Sequence, residues 1–250
     1  MRATTSANFR SILTIARKNM IVYYRRGPTL IFGLLFPFFF FLSFVLGRNV
    51  EPAQLMPGLL GMVVFFASTA VGPVILPTET RGHTLERLVT LPIPFWVILL
   101  GDALSSTLFS IISCITPIVL ALLIVEMTIP NILLMLGGVV VGCTCFSFFG
   151  LLLSAPATDH TSTIMMLSTM VKFPLVFISG VFVPLETMPD FLLPLAMISP
   201  LTYLVDIQNT AMFSSGYFSP LLSLFVVALS GFILWILAHR AHQRTLQKRF

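Results

Sequence analysis

The amino-acid sequence predicts an all-α polytopic membrane protein with six transmembrane helices. Of its 250 residues, 57% are hydrophobic and only 9% are charged, whereas about a quarter of the residues in a soluble domain are charged. Several apolar runs reach the roughly 20 residues that a helix needs to cross the hydrocarbon core. These runs do not alternate in polarity as the strands of a transmembrane barrel do. The helix is then the fold that satisfies its own backbone polar groups in lipid.

The first element, residues 1–28, is predicted to be an amphipathic helix in the membrane interface. Its apolar side chains recur at helical spacing, and polar, mostly basic side chains occupy the other side. Gly27 and Pro28 end the helix before the first span. It has two compatible interpretations, an anchor on anionic lipid and a lever beside a partner's docking site. The apolar stripe comprises Phe9, Ile12, Leu13, Ala16, Met20, Tyr23 and Tyr24, and the polar side comprises Arg10, Thr14, Arg17, Lys18 and Arg25.

Six spans form a predicted transmembrane domain over residues 29–238. Basic residues concentrate before the first span, in the loop after the second span and in a tail at 239–250, whereas the opposite side is mostly acidic. By the positive-inside rule, both termini and that loop face the cytoplasm of a multi-pass cell-membrane protein. The spans are predicted at 29–47, 55–76, 97–124, 131–154, 163–183 and 220–238.

The stretch between the fifth and sixth spans, residues 184–219, is apolar but interrupted by Pro184, Pro189, Pro194 and Pro200. Proline breaks the interior of a helix, but it is tolerated in the first turn, where its missing N–H has no partner to lose. We therefore expect two short re-entrant helices that dip into the outer leaflet.

One short charged segment, residues 79–88, interrupts the apolar sequence and is called the island below. We predict a helix over about 78–91, with Thr78 as its N-cap. Leu85, Leu88 and Val89 would form its apolar edge. An interfacial connector on an anionic inner leaflet would favour basic residues without acids. The mixed signs, with Glu79 and Glu86 among them, instead favour contact with a protein.

Motifs for chemistry are missing from the sequence. It contains no HExxH, no GxSxG and no glycine-rich phosphate loop, so we expect neither catalysis nor a bound cofactor or metal in this chain. Cys114, Cys143 and Cys145 all lie in apolar runs and are expected to be structural. The net charge of +5 comes from basic residues that flank spans and does not indicate nucleic-acid binding.

Ionisable residues inside spans are candidates for a transport path. Lys172 falls near the middle of the fifth span and needs a partner or water there, unless the span is shifted and the side chain snorkels to the interface. Asp102, near the inner end of the third span, is expected at the interface. Phe38 and Phe39, which follow Pro37, are candidate substrate contacts, or bulk that faces lipid or the second subunit of a dimer.

Two motifs resemble the permeases of ABC-2 type transporters. The island, followed by Pro92-Ile93-Pro94 and Gly101, looks like the coupling-helix region of that family. The stretch 177–185, then Met188-Pro189 and 199–206, is similar to its C-terminal signature. Order, spacing and six-span topology agree across essentially the whole chain. The short chain resembles prokaryotic permeases for drug and glycoconjugate export, although Asp102 and Asn209 stand where relatives often have a basic residue.

The resemblance implies a permease subunit that exports a hydrophobic or amphipathic substrate, such as a drug, lipid or glycoconjugate. It would work as a homodimer or heterodimer with ABC ATP-binding subunits, which would supply the sites for ATP and Mg²⁺. The implied ATPase-coupling residues are Glu79, Arg81, Gly82, His83, Thr84, Glu86 and Arg87. The implied outer gate comprises Ser179, Gly180, Pro184, Pro189, Pro200, Tyr203 and Asp206, and the candidate substrate path comprises Lys172, Phe38 and Phe39.

Two alternatives from other classes stay open on the residues alone. An ion-coupled carrier acting by itself would use ionisable groups such as Lys172 and Asp102 as a relay. A non-transporting assembly or anchoring subunit would need neither a relay nor an ATPase.

Overall fold

A computed structural model describes residues 5–24, 51–90, 92–123, 125–156 and 160–249, together with six single positions between 31 and 43. The fold is all-α, as predicted, and the described residues include five helices that are long and apolar enough to cross a membrane. The predicted first span at 29–47 lies almost entirely outside the described residues.

The N-terminal helix α1, Thr5–Val22, packs along α5, Phe95–Leu123. Glycine at position 101 permits this contact, because an ideal Cβ there would lie 2.7 Å from the Cβ of Ile15. The face of α1 that packs on the protein includes Ile15, Ala16 and Asn19, which are buried. Part of the predicted apolar stripe points elsewhere, since Phe9 and Leu13 are exposed. These outward apolar side chains agree with a helix that also touches lipid.

The second candidate span is one long element with a break, divided into α2, Pro52–Ser68, and α3, Gly72–Arg81. The predicted helix start at Thr78 is wrong, because α3 runs through that residue and the Thr78 carbonyl accepts the backbone N–H of Gly82. A turn at Gly82 and His83 follows, and a separate short helix α4 spans Thr84–Val89. The island is therefore the end of a spanning helix plus a turn and a second helix.

Three further long helices belong to the described part of the bundle: α6, Ile132–Leu153; α7, Thr161–Ile178; and α10, Pro220–Arg249. The predicted basic tail at 239–250 is helical as far as Arg249, because α10 continues without interruption to that residue. His242 is buried, and its Nε2 lies 2.9 Å from the Leu151 carbonyl oxygen of α6. The tail carries no glycine or proline that would stop the helix.

The proline-rich stretch contains a 3₁₀ turn at Leu185–Thr187 and two helices, α8, Leu193–Ile198, and α9, Pro200–Phe213. Both helices carry a proline in the first turn, as predicted. Helix α9 packs against α2, α6 and α10, and its Leu201, Leu204 and Val205 belong to the main apolar core. This end of the bundle lies opposite the island and, on the predicted topology, faces outward, so it is called the outer end below.

Candidate functional site

The island presents an exposed tip made of charged and polar residues. The turn is closed by backbone bonds from Gly82 N to Thr78 O, 3.0 Å, and from His83 N to Thr80 O, 3.1 Å. The Thr84 hydroxyl also donates to the Glu79 carbonyl oxygen at 3.2 Å. His83 adopts a left-handed conformation with φ of 54°, which turns the chain sharply between α3 and α4. The exposed residues of the tip are Arg81, Gly82, His83, Thr84, Glu86 and Arg87.

The exposed side chains of the tip carry both signs of charge. The His83 and Glu86 side chains are 77% and 53% exposed, and His83 Nδ1 lies 3.0 Å from Glu86 Oε1. Surface ion pairs of this kind contribute at most about 1 kcal/mol. This contact therefore contributes little to the stability of the fold.

Leu85 anchors the tip from below. Its side chain is 1% exposed and packs with Leu76 of α3, Leu99 of α5 and Leu151 of α6. This confirms the inward position of the predicted apolar edge for Leu85. The buried Leu85 side chain and the closed turn thus join α4 to the spanning helices.

Glu79 does not share the exposed face of the other island residues. It is 1% exposed, and its Oε1 accepts a hydrogen bond from the Lys18 ammonium of α1 in an ion pair. The expectation that Glu79 contacts a partner protein through its side chain is therefore wrong. Lys18, expected on the solvated side of α1, instead reaches across to α3, where its side chain is about one-third exposed.

The Lys18–Glu79 pair joins α1 to α3, and a separate polar contact joins α1 to α5. The Asn19 amide donates to Asp102 Oδ1 at 2.6 Å, and both residues are fully buried. The hydroxyls of Tyr24 and Ser106 lie 2.6 Å apart, one turn further along α5. Asp102 is thus buried beneath α1. Buried polar groups that are paired in this way specify one docking position, because leaving them unpaired costs about 1–3 kcal/mol each.

At the outer end, the signature residues form a hydrogen-bonded cluster between the end of α7 and the start of α9. The hydroxyls of Ser179 and Ser199 lie 2.9 Å apart. The Tyr203 hydroxyl donates to the Met197 carbonyl oxygen at 3.0 Å. Gly180 has φ of 74°, a conformation that favours glycine because a Cβ is strained there. Pro200 occupies the first turn of α9, while Pro184 and Pro189 lie in the exposed connection before α8.

Asp206 fastens the loop after α9. Its carboxylate accepts the backbone N–H of Tyr217 at 2.6 Å and of Phe218 at 3.3 Å, and the hydroxyl of Ser223 at 3.0 Å. Burial raises the pKa of the Asp206 carboxyl, while these three donors oppose that shift. The carboxylate borders an outer cavity of about 560 Å³, whose lining also includes Glu51, Gln54, Ser179, Glu186 and Asn209.

Lys172 lies in a different cavity, of about 370 Å³, between α7 and the break that separates α2 from α3. The side chain is 8% exposed and donates to the Thr69 carbonyl oxygen at 2.7 Å. Lys172 thus has a buried partner rather than a snorkelling position. Phe38 and Phe39 contact each other, with ring centroids 5.8 Å apart, but neither contributes to the described lining of this cavity.

The sequence analysis missed the buried position of Asn19 and the pairing of Lys18 with Glu79. Asn19 lies three and four residues after Ala16 and Ile15, so it interrupts an otherwise apolar face of α1. A polar side chain at such a position was the available signal. Nothing in the sequence indicated that Lys18 pairs with Glu79, which is 61 residues away.

Comparison with known proteins bears on the whole arrangement. The family model for ABC-2 type transporters matches residues 10–213 and so includes α1, the island and the outer signature. No curated protein matches the chain. The family model spans most of the chain and includes both motifs whose geometry is described above. The chain therefore belongs to the ABC-2 type transporter family and is a transmembrane permease of an ABC transporter.

Proposed function

We propose that this chain is the permease subunit of an ATP-driven exporter and that the island tip docks a separate ATP-binding subunit. The family implies such a partner and a lipid bilayer. The partner would bind ATP and Mg²⁺ and hydrolyse the nucleotide. The permease would carry a hydrophobic or amphipathic substrate outward across the cell membrane, with both termini in the cytoplasm.

The observation that supports this proposal best is the division of the island into an exposed and a buried part. Arg81, His83, Glu86 and Arg87 are exposed at the end of α3, in the closed turn after it and on α4. Directly beneath them, Glu79 is buried against Lys18. A docking surface requires accessible groups of both signs, and a mechanical coupling requires a rigid connection from that surface into the membrane domain.

The contacts of α1 suggest how movement would spread. Lys18 joins α1 to α3, and Asn19 joins it to α5. When a partner displaces the tip, α1 and the inner parts of α3 and α5 would move as one body. Such rigid-body shifts are a common way in which a small change at one site becomes a change between two states. The outer loop held by Asp206 would be the part that opens on the far side.

The test reverses one exposed charge of the tip. We expect Glu86→Arg to reduce copurification of the ATPase subunit at least tenfold and to abolish ATP-dependent transport, because it removes the acid that faces the partner. Glu126→Arg is the matched control, since Glu126 is an exposed acid in the loop between α5 and α6, away from the tip. It should leave copurification unchanged.

Two results would contradict the proposal. One is a Glu86→Arg variant that retains wild-type ATPase binding, ATP hydrolysis and transport. The other is substrate movement by the purified chain alone under an imposed proton or sodium gradient, which would identify an ion-coupled carrier.

A further inference from the structure

The cavity at Lys172 has a polar end and an apolar wall. Its lining on α7 includes Met165, Met166, Lys172 and Phe173, and α2 contributes Phe66. These α7 positions recur at helical spacing and share one face. The volume of about 370 Å³ falls within the range typical of small-ligand sites, about 300–1,000 Å³.

The contact between Lys172 and Thr69 has a local structural cause. In a continuous helix the Thr69 carbonyl would accept the N–H four residues later, at position 73. That residue is proline and has no N–H to give. Lys172 supplies the missing donor at 2.7 Å. One of its three N–H groups is thereby used, which leaves two for another acceptor.

No counter-charge accompanies this lysine among the residues that the structure describes. The Thr69 carbonyl oxygen is its described hydrogen-bond acceptor, and no described carboxylate forms an ion pair with it or lines the cavity. An ionisable group in the membrane interior is costly, and it is usually paired or functional. An anion in the cavity would stabilise the charged form of the lysine.

A second polar side chain borders the same cavity without a partner. Ser168 lies one helical turn before Lys172, is 2% exposed, and its Oγ has no described hydrogen-bond partner. A buried hydroxyl left unpaired costs about 1–3 kcal/mol. An oxygen-rich head group beside Lys172 would accept a hydrogen bond from the Ser168 hydroxyl and remove that cost.

We propose that this cavity binds the anionic head group of an amphiphile, with Lys172 and Ser168 at the head and the Met165, Met166, Phe66 and Phe173 side chains along its apolar body. Lys172 lies about 15 Å along α7 from Ser162 at the start of the helix, which is about half the thickness of the hydrocarbon core. A charged head crossing the bilayer needs a counter-charge at that depth. The binding site is argued from the cavity alone, whereas its place in a substrate path rests on the proposed function.

The experiment measures binding to the full chain in phosphatidylcholine nanodiscs without ATP or an ATPase. The probes are a spin-labelled hexadecyl phosphate and the matching uncharged alcohol, and the immobilised fraction of each is read by electron paramagnetic resonance. We expect the wild type to prefer the phosphate at least fivefold. Lys172→Met should abolish that preference, and Lys172→Arg should retain it. Met170→Ala is the control, because Met170 is an exposed neighbour on α7 outside the cavity lining.

A second variant provides an independent test in case Lys172→Met does not fold. Thr169→Glu places a carboxylate in the cavity lining three residues before Lys172 and leaves the bond to Thr69 in place. It should also abolish the preference for the phosphate. Equal binding of phosphate and alcohol by the wild type would overturn the proposal, and so would retained preference in both variants.

The source of the anion is separated by competition. Displacement of the probe by phosphatidic acid in the nanodisc assigns the site to a bilayer lipid. Failure of phosphatidic acid to displace a probe that still binds assigns it to a single-chain amphiphile. Because no ATPase is present, equal binding of phosphate and alcohol by the wild type counts against the cavity proposal alone, while unchanged ATPase binding by the Glu86→Arg variant counts against the proposed function alone.

Discussion

Two lysines of this protein differ in the partner that compensates the ammonium group. Lys18 of α1 meets the buried Glu79 carboxylate, and its own side chain stays about one-third exposed. Lys172 of α7 is more deeply buried, yet its described partner is an uncharged backbone carbonyl. The first arrangement pairs two opposite charges and fastens two helices. The second has no counter-ion among the residues that the structure describes, and it is there that we propose an anion binds.

The largest expected effect comes from replacing Lys18, the more exposed partner of the ion pair with Glu79. Lys18→Met should lower the free energy of unfolding by about 3 kcal/mol, since it leaves the buried Glu79 carboxylate without a counter-charge. Glu79→Gln should cost only about 1 kcal/mol, because the partly exposed Lys18 can turn to solvent. Chemical denaturation in detergent, followed by circular dichroism, measures both.

The double variant Lys18→Met/Glu79→Gln is the control for this asymmetry. It should recover most of the stability lost in Lys18→Met, because no buried charge is then left alone. Equal losses in the two single variants, with no recovery in the double variant, would show that the pair does not hold α1 against α3.

A smaller effect tests whether α1 is held by fit as well as by charge. Gly101→Val should lower the free energy of unfolding by about 2 kcal/mol, because its Cβ would overlap Ile15. Ile15→Ala should partly restore stability in the Gly101→Val background, although it is destabilising on its own. Thermal unfolding of the four proteins gives the coupling. Additive losses would place α1 further from Gly101 than described here.

The smallest effect belongs to the second lysine. Lys172→Met should change the free energy of unfolding by no more than about 1 kcal/mol, because loss of the bond to the Thr69 carbonyl is offset by removal of a buried charge. The same denaturation assay measures it, with Met170→Ala as the matched control. A loss as large as that of Lys18→Met would mean that Lys172 is chiefly a structural cap for the broken helix.

Much of the fold was predictable, because hydrophobic length and proline position act locally. Apolar runs placed the later spans, and prolines placed the starts of α8 and α9. The prediction of a helix start at Thr78 was wrong, because α3 continues through that residue. A helix continues wherever no residue stops it and neighbouring helices pack against it.

The exposure of the island residues was predictable only in part. Arg81, Glu86 and Arg87 are exposed, and their contact with a partner protein stays a prediction. Glu79 belongs to the same charged segment and yet points inward to Lys18. Spacing within the island could not separate these residues, because the direction of Glu79 depends on where α1 docks.

The sequence by itself determined that this protein is a multi-span helical membrane protein, and its two motifs indicated the family to which it belongs. Those properties follow from hydrophobic length and short-range residue patterns, which lie within single segments. Only the tertiary structure decided which charges are paired. The partner of Glu79 is 61 residues away and the partner of Lys172 is 103 residues away. Contacts at that separation are set by helix packing. The Thr69 carbonyl, left free by the break in the helix, can bond to Lys172 only because α7 packs against it.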